Sequence, residues 1–174
     1  MPTRRFHAVF ALASVSHRSL LMASILVVDD DASLRSLAQI ILEEQGYRVL
    51  VAEGGAQALQ IAHTEPGPID LLVTDLVMPG MDGAELGRQL RVLRPTMRVL
   101  YITALAVAHL AGHTVVLNQI VLDPEVPILV KPFSVEALEL KVQDVLEHAP
   151  VHVRGPDAPP RRSGLLTSSD ESQP

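Results

Sequence analysis

Four places along the chain carry side chains that could do chemistry together: Asp29-Asp30-Asp31, Asp75, Thr103 and Lys131-Pro132, each closing an apolar run of strand length. Three carboxylates brought to one point, Asp29, Asp30 and Asp75, repel one another unless they are protonated or given a cation. Hard oxygen donors of this kind suit Mg²⁺ or Mn²⁺, with water completing an octahedron. A carboxylate oxygen is also a nucleophile toward phosphorus and can form an aspartyl phosphate. A divalent cation, a lysine ammonium and a threonine hydroxyl would then neutralise the oxygens of the group being transferred. Taken singly, each residue has a plainer use: Asp31 suits the N-cap of a following helix, a threonine often ends a strand, and a lone lysine is usually surface charge. Their joint occurrence at the same end of successive strands is what points to a phosphoryl-acceptor site.

The elements that must position these residues can be read from the hydrophobic pattern. Strands are predicted over Ile25–Val28, Arg48–Ala52, Leu71–Thr74, Arg98–Thr103 and Pro127–Val130, several of them continuously apolar, as in strands buried on both faces. Between them lie helical patterns. Ser33–Gln45 places Leu34, Leu37, Ile41 and Leu42 on one face and stops at Gly46. Gly55–Thr64 aligns Ala58, Leu59 and Ala62 and stops before Pro66, and Gly83–Leu93 presents Leu86, Leu90 and Leu93 and stops before Pro95. Ser134 is the predicted N-cap of a last helix that carries Leu138, Val142, Val145 and Leu146 to about His148. Repeated βα units of this size imply an α/β fold, with a parallel sheet, helices on both faces and right-handed crossovers. Ligands of such sheets bind at the carboxyl ends of the strands, where the polar residues gather here.

At 174 residues the chain has room for one domain plus extensions. Residues 1–22 read as a disordered extension or an over-called start, although Arg4-Arg5 ahead of Ala8–Val15 has the outline of a short signal segment. Residues 23–149 form the expected domain, and the Pro- and Ser-rich residues 150–174 an expected disordered tail. The net charge of −6 conceals 17 acidic and 8 basic side chains within 23–149, a balance of −9 that suits no nucleic-acid backbone. The absence of cysteine excludes disulfides and thiolate chemistry. No apolar run approaches the roughly 20 residues that span a bilayer, so a cytoplasmic protein with no membrane partner is expected.

The segments ILVVDDD (25–31), LLVTDLVMPGMDG (71–83), ITA (102–104) and VKPF (130–133) resemble, in order, the four signature blocks of response-regulator receiver domains, over about Ser24 to Glu147. That resemblance implies a doubly wound five-stranded parallel sheet of flavodoxin-like order 2-1-3-4-5. It implies Asp75 as the phosphoacceptor, charged by a histidine kinase or a histidine phosphotransfer protein. Asp29 and Asp30 would be the Mg²⁺ acids, Asp30 the more direct, with Asp75 and the backbone carbonyl of Val77 as further ligands and Mn²⁺ able to substitute. Thr103, with Ala104, would be the phosphate-binding switch, Lys131 the phosphate-pairing cation, and Lys131–Pro132 a cis peptide. Such a domain catalyses its own phosphorylation and slow dephosphorylation without being a turnover enzyme, and hands its signal to a downstream protein. A stand-alone receiver, or one separated from a larger relay protein, is the expectation.

Two departures stand out. Receivers usually carry Tyr or Phe three residues before the lysine, as a rotamer switch coupled to the threonine; this chain has Ile128. The stretch from Thr103 to Lys131 is also longer than usual, the excess falling in Ala106–Val121, where a remodelled fourth helix is expected as an output or homodimer surface. His109 and His113 stand there at i, i+4 without an evident third zinc ligand. Leu105 and Val77 occupy flanking positions where receivers often hold polar groups that orient attacking water. Two other readings compete: a haloacid-dehalogenase-like phosphatase with Asp29 as nucleophile in Asp29-Asp30-Asp31-Ala32-Ser33, lacking a late acidic pair, and a pseudo-receiver that binds partners without phosphorylation.

Overall fold

The structure is a computed structural model that describes residues 23–104, 115–117, 120–122 and 126–148. Five strands, β1 (Ser24–Val28), β2 (Arg48–Ala52), β3 (Leu71–Asp75), β4 (Arg98–Thr103) and β7 (Ile128–Val130), form one parallel sheet in the order β2-β1-β3-β4-β7. This is the predicted 2-1-3-4-5 order, with β7 as the fifth strand of the sheet. All five residues of β1 and the first four of β3 are buried, which explains why these strands read as unbroken apolar runs: both of their faces are covered.

Strand pleating divides the core in two. Leu26, Val28, Leu72, Val99 and Tyr101 face α2 (Gly55–Thr64) and α3 (Gly83–Leu93), packing with Ala58, Ala62, Leu86 and Leu90. Ile25, Val27, Leu71, Val73, Leu100 and Ile102 face α1 (Ala32–Glu44) and α4 (Val135–Glu147), packing with Ile41, Leu42, Leu138 and Val142. Parallel register keeps these layers aligned, as in Leu26↔Leu72 and Leu72↔Val99.

The helix ends follow the sequence signals closely. Asp31 caps α1 by accepting from the Ser33 and Leu34 amides, and Gly46, at φ 88°, ends it in the left-handed conformation that glycine adopts without penalty. Asp82 caps α3, and Ser134 caps α4 by accepting from the Ala137 amide. Two of the predicted core faces need correction. In α1, Leu37 is exposed and Ala38 is buried in its place, and in α3 Leu93 is exposed beyond the buried Leu86 and Leu90.

The connection from β4 to β7 departs most from expectation. Where a remodelled fourth helix is expected over Ala106–Val121, β5 (Val115–Leu117) and β6 (Ile120–Leu122) pair antiparallel as a two-stranded sheet, with Leu117 opposite Ile120, while residues 106–114 lie outside the described residues. The cause is local. Val115, Val116, Ile120 and Val121 are β-branched and crowd a helix, and two apolar triplets separated by two residues fit a hairpin. The backbone of β6 lies beside α3. His109, His113 and Leu105 lie outside the described residues, as do the terminal segments 1–22 and 149–174.

Candidate phosphoryl-acceptor site

Two parallel neighbours deliver the acids. Strand β1 runs directly into Asp29, whose amide donates to the Ala52 carbonyl at 3.3 Å, and the sharp turn into α1 leaves Asp30 exposed. Strand β3, adjacent to β1, ends on Asp75. Carboxylate oxygens of Asp29, Asp30 and Asp75 lie within 4.8 Å of one another, the first buried, the second exposed and the third half-buried.

At the sheet edge, β7 supplies the countercharge. The Lys131 amide donates to the Thr103 carbonyl at 2.8 Å, extending the β4–β7 pairing and aiming the side chain across the strand ends. Its ammonium reaches Asp75 Oδ2 at 2.6 Å and Asp29 Oδ2 at 3.0 Å. Burial disfavours the charged ammonium, but hydrogen bonds to Asp75 and Asp29 and the charge of both outweigh it, holding the Lys131 pKa above the usual lysine value. Lys131 is thus a fixed cation shared between two acids. The Lys131–Pro132 peptide is cis.

The loop from Asp75 to α3 is shaped by close backbone approach. The Val77 amide donates to Asp75 Oδ1 at 3.0 Å, which places the Val77 peptide at the site. Leu76 is anchored on both sides: its amide donates to the Ile102 carbonyl at 2.9 Å and its carbonyl accepts from the Gly83 amide at 3.0 Å. A Cβ on Gly83 would sit 2.2 Å from the Asp75 carbonyl oxygen, so only glycine lets α3 begin this close to the end of β3. Gly80 supports the intervening turn with φ 80°.

Thr103, at the end of β4, is fully buried, and Ala104 beyond it is exposed. Ile128 pairs with Tyr101 across β4 and β7 and is half-buried against the α2–α3 side of the core. The strand ends thus gather Asp29, Asp30, Asp75 and Lys131 directly, with Thr103 joined to Lys131 through the backbone.

One residue of the site was not found in the sequence. Arg35, on the first turns of α1, donates through Nη1 to the Asp29 carbonyl. The available signal was its place in the helix that starts from Asp31, which turns it back toward the loop it follows.

Three hard carboxylates, one open to water, fit a small divalent cation that keeps several waters and takes only a few protein ligands. A phosphatase using Asp29 as nucleophile fits less well: Asp29 is 5% exposed, and Lys131 and the Asp31 amide occupy its two carboxylate oxygens. Asp75 has both oxygens engaged as well, by the Val77 amide and Lys131, and its side chain is somewhat more open, 13% exposed against 7% for Asp29.

Residues 25–143 match the family described as the response regulator receiver domain. The chain is 34% identical over 129 residues to the response regulator receiver protein CpdR of Brucella abortus (strain 2308), a match that covers 72% of this chain and 98% of that protein. It is 33% identical over 125 residues to the sensor kinase CckA of the same organism, of whose length it spans only 13%. Among solved structures, the receiver domain of the hybrid histidine kinase CckA superposes with a TM-score of 0.57 at 34% identity, covering 71% of this chain and 99% of that one. The chemotaxis response regulator CheY4 of Vibrio cholerae does so with a TM-score of 0.57 at 29% identity, covering 71% and 98%.

Proposed function

This chain belongs to the response regulator receiver domain family, and on that premise we propose that Asp75 accepts a phosphoryl group from a phosphohistidine of a kinase or phosphotransfer protein. The observation that carries the reading is the Asp29–Asp30–Asp75 cluster with the Lys131 ammonium bridging two of its members.

In the proposed step, a carboxylate oxygen of Asp75 attacks phosphorus in line with the departing imidazole nitrogen. The P–N bond breaks as the O–P bond forms, giving an acyl phosphate, and the imidazole, already protonated on its other ring nitrogen, leaves as the neutral base. Asp29, Asp30, Asp75 and the Val77 carbonyl would hold Mg²⁺ or Mn²⁺, which would neutralise charge on the transferring oxygens. Lys131, freed from Asp75 Oδ2 when that carboxylate is phosphorylated, pairs with a phosphoryl oxygen. Thr103 and the Ala104 backbone provide the remaining hydrogen bonds and report the new charge to the segment that follows.

The functional unit is residues 23–149, with 1–22 and 150–174 as extensions. Its output is a change of partner affinity in a downstream protein, with homodimerisation through the β4–β7 connection as one form. Among the described residues no helix is long and apolar enough to cross a membrane; action in the cytoplasm is part of the proposal. Incubation with acetyl phosphate and Mg²⁺, followed by intact mass, tests the reading. One added phosphoryl group that chelation of Mg²⁺ prevents is expected; no adduct, or steady turnover of p-nitrophenyl phosphate, would contradict it.

A further inference from the structure

Asp29 is held at each of its four polar atoms. Its amide donates to the Ala52 carbonyl, Oδ1 accepts from the Asp31 amide, Oδ2 accepts from Lys131 Nζ, and its carbonyl accepts from Arg35 Nη1. The first three contacts fix the strand end and the carboxylate. The fourth has a different consequence, because the Asp29 carbonyl belongs to the planar peptide unit that joins Asp29 to Asp30. Pinning that oxygen sets the plane of the unit, and with it the direction in which Asp30, the exposed member of the cluster, leaves the backbone.

Arg35 is itself well anchored for this task. It sits four residues past Asp31, the N-cap of α1, and its amide donates to the Asp31 carbonyl at 3.0 Å. Asp31 in turn donates its amide to Asp29 Oδ1. Residues 29–35 therefore close a small ring in which the helix start and the two cation-facing acids are fixed relative to one another.

We propose that Arg35 is a positioning residue of the acceptor site, orienting the Asp29–Asp30 peptide so that both carboxylates face the divalent-cation position shared with Asp75. This rests on the phosphoacceptor reading above and adds a residue to it. The rival role for a guanidinium beside three acids is simple charge neutralisation, and the two roles have opposite signs. A bystander cation repels Mg²⁺, so its removal tightens Mg²⁺ binding. A positioning residue holds the ligands in place, so its removal weakens binding. Outer-shell groups that orient metal ligands typically contribute 10–100-fold in metal affinity.

The test is calorimetric titration of the unphosphorylated full chain with Mg²⁺, alongside amide exchange at Asp30 and Asp31. Arg35→Met is expected to weaken Mg²⁺ binding about tenfold and to speed exchange of the Asp31 amide. Arg35→Lys keeps the charge but loses the fork, and should fall between wild type and Arg35→Met; it carries the test alone should Arg35→Met not fold. Unchanged or tighter Mg²⁺ binding in either variant overturns the positioning role while leaving the acceptor site standing. Absence of Mg²⁺ binding in the wild-type chain, with Asp30→Ala indistinguishable from it, overturns the acceptor reading itself and this inference with it.

Discussion

The carboxyl ends of β1, β3 and β7 and the β5–β6 hairpin are built on opposite plans. At the strand ends several polar groups are tied to neighbouring elements: Asp29 to β2 and α1, Asp75 to Val77 and Lys131, Leu76 to β4 and α3. In the connection, the short β5–β6 hairpin stands apart from the main sheet and pairs only within itself among the described residues. Phosphoryl chemistry requires a few groups fixed to fractions of an ångström, so the first region leaves little room for change. Output requires only an element that new charge can bias, so the second can be rebuilt without touching the chemistry.

Substitutions that separate the two regions sharpen or break this contrast. The largest effect is expected for Asp30→Ala, which removes the most exposed acid of the cluster. Mg²⁺ binding followed by calorimetry should be lost and phosphorylation by acetyl phosphate strongly slowed, while relief of carboxylate repulsion alters thermal stability in Mg²⁺-free buffer. Unchanged Mg²⁺ affinity would remove the three-acid site from the account.

Lys131→Ala comes next. It leaves the buried Asp29 without its ammonium, a loss of about 3 kcal/mol in chemical denaturation without Mg²⁺, partly restored when the cation is added. Beryllofluoride should still bind Asp75 but no longer elicit the full conformational change. The same ion pair carries a pH signature. Because the fold raises the Lys131 pKa, the stabilisation is whole below the ordinary lysine value of about 10.4 and is lost only as pH rises through the higher folded value. Denaturation midpoints should therefore converge between wild type and Lys131→Ala only in strongly alkaline solution. Convergence near neutrality would contradict the pairing.

Gly83→Ala tests the site from the backbone side. A Cβ placed 2.2 Å from the Asp75 carbonyl forces α3 away from the acceptor strand, at a cost of about 2 kcal/mol and with slower phosphorylation. A variant as stable and as reactive as wild type would mean the approach is looser than described.

The smallest effects are expected in the connection. Val116→Thr should leave the phosphorylation rate unchanged, and hydrogen exchange with and without beryllofluoride should differ most in residues 103–121 and little at Ile128. Val77→Asn, in the loop after Asp75, and Leu105→Glu should shorten the life of the acyl phosphate, since a polar side chain at these positions can orient attacking water. Equal dephosphorylation rates would place that control elsewhere.

Much of this was legible in the sequence for physical reasons that differ by element. Strands β2 and β4 and helices α2 and α3 fall at their predicted limits, with glycine, proline or charge at or near every end except that of β4, which stops at Thr103. Strand β7 begins at Ile128 rather than Pro127 because proline has no amide for the ladder, although its carbonyl still accepts from Tyr101. Leu37 was placed inward because it falls on the apolar stripe of α1, but the smaller Ala38 is what fits under the helix. The hairpin was missed because alternation of strand and helix elsewhere favoured another helix, against the β-branched residues of the segment itself. Arg35 was missed for a different reason: its partner is a backbone carbonyl, and no side-chain pattern announces one.

The central claim is that Asp75 is the residue that carries the phosphoryl group. Reaction of wild-type chain and Asp75→Asn with acetyl phosphate and Mg²⁺, followed by borohydride reduction of the acyl phosphate and peptide mapping, addresses it directly. The expected result is a single reduced aspartate at position 75 in the wild type and no adduct in a normally folded Asp75→Asn protein. Wild-type labelling of Asp75→Asn, or a reduced residue at Asp29 or Asp30, would contradict it.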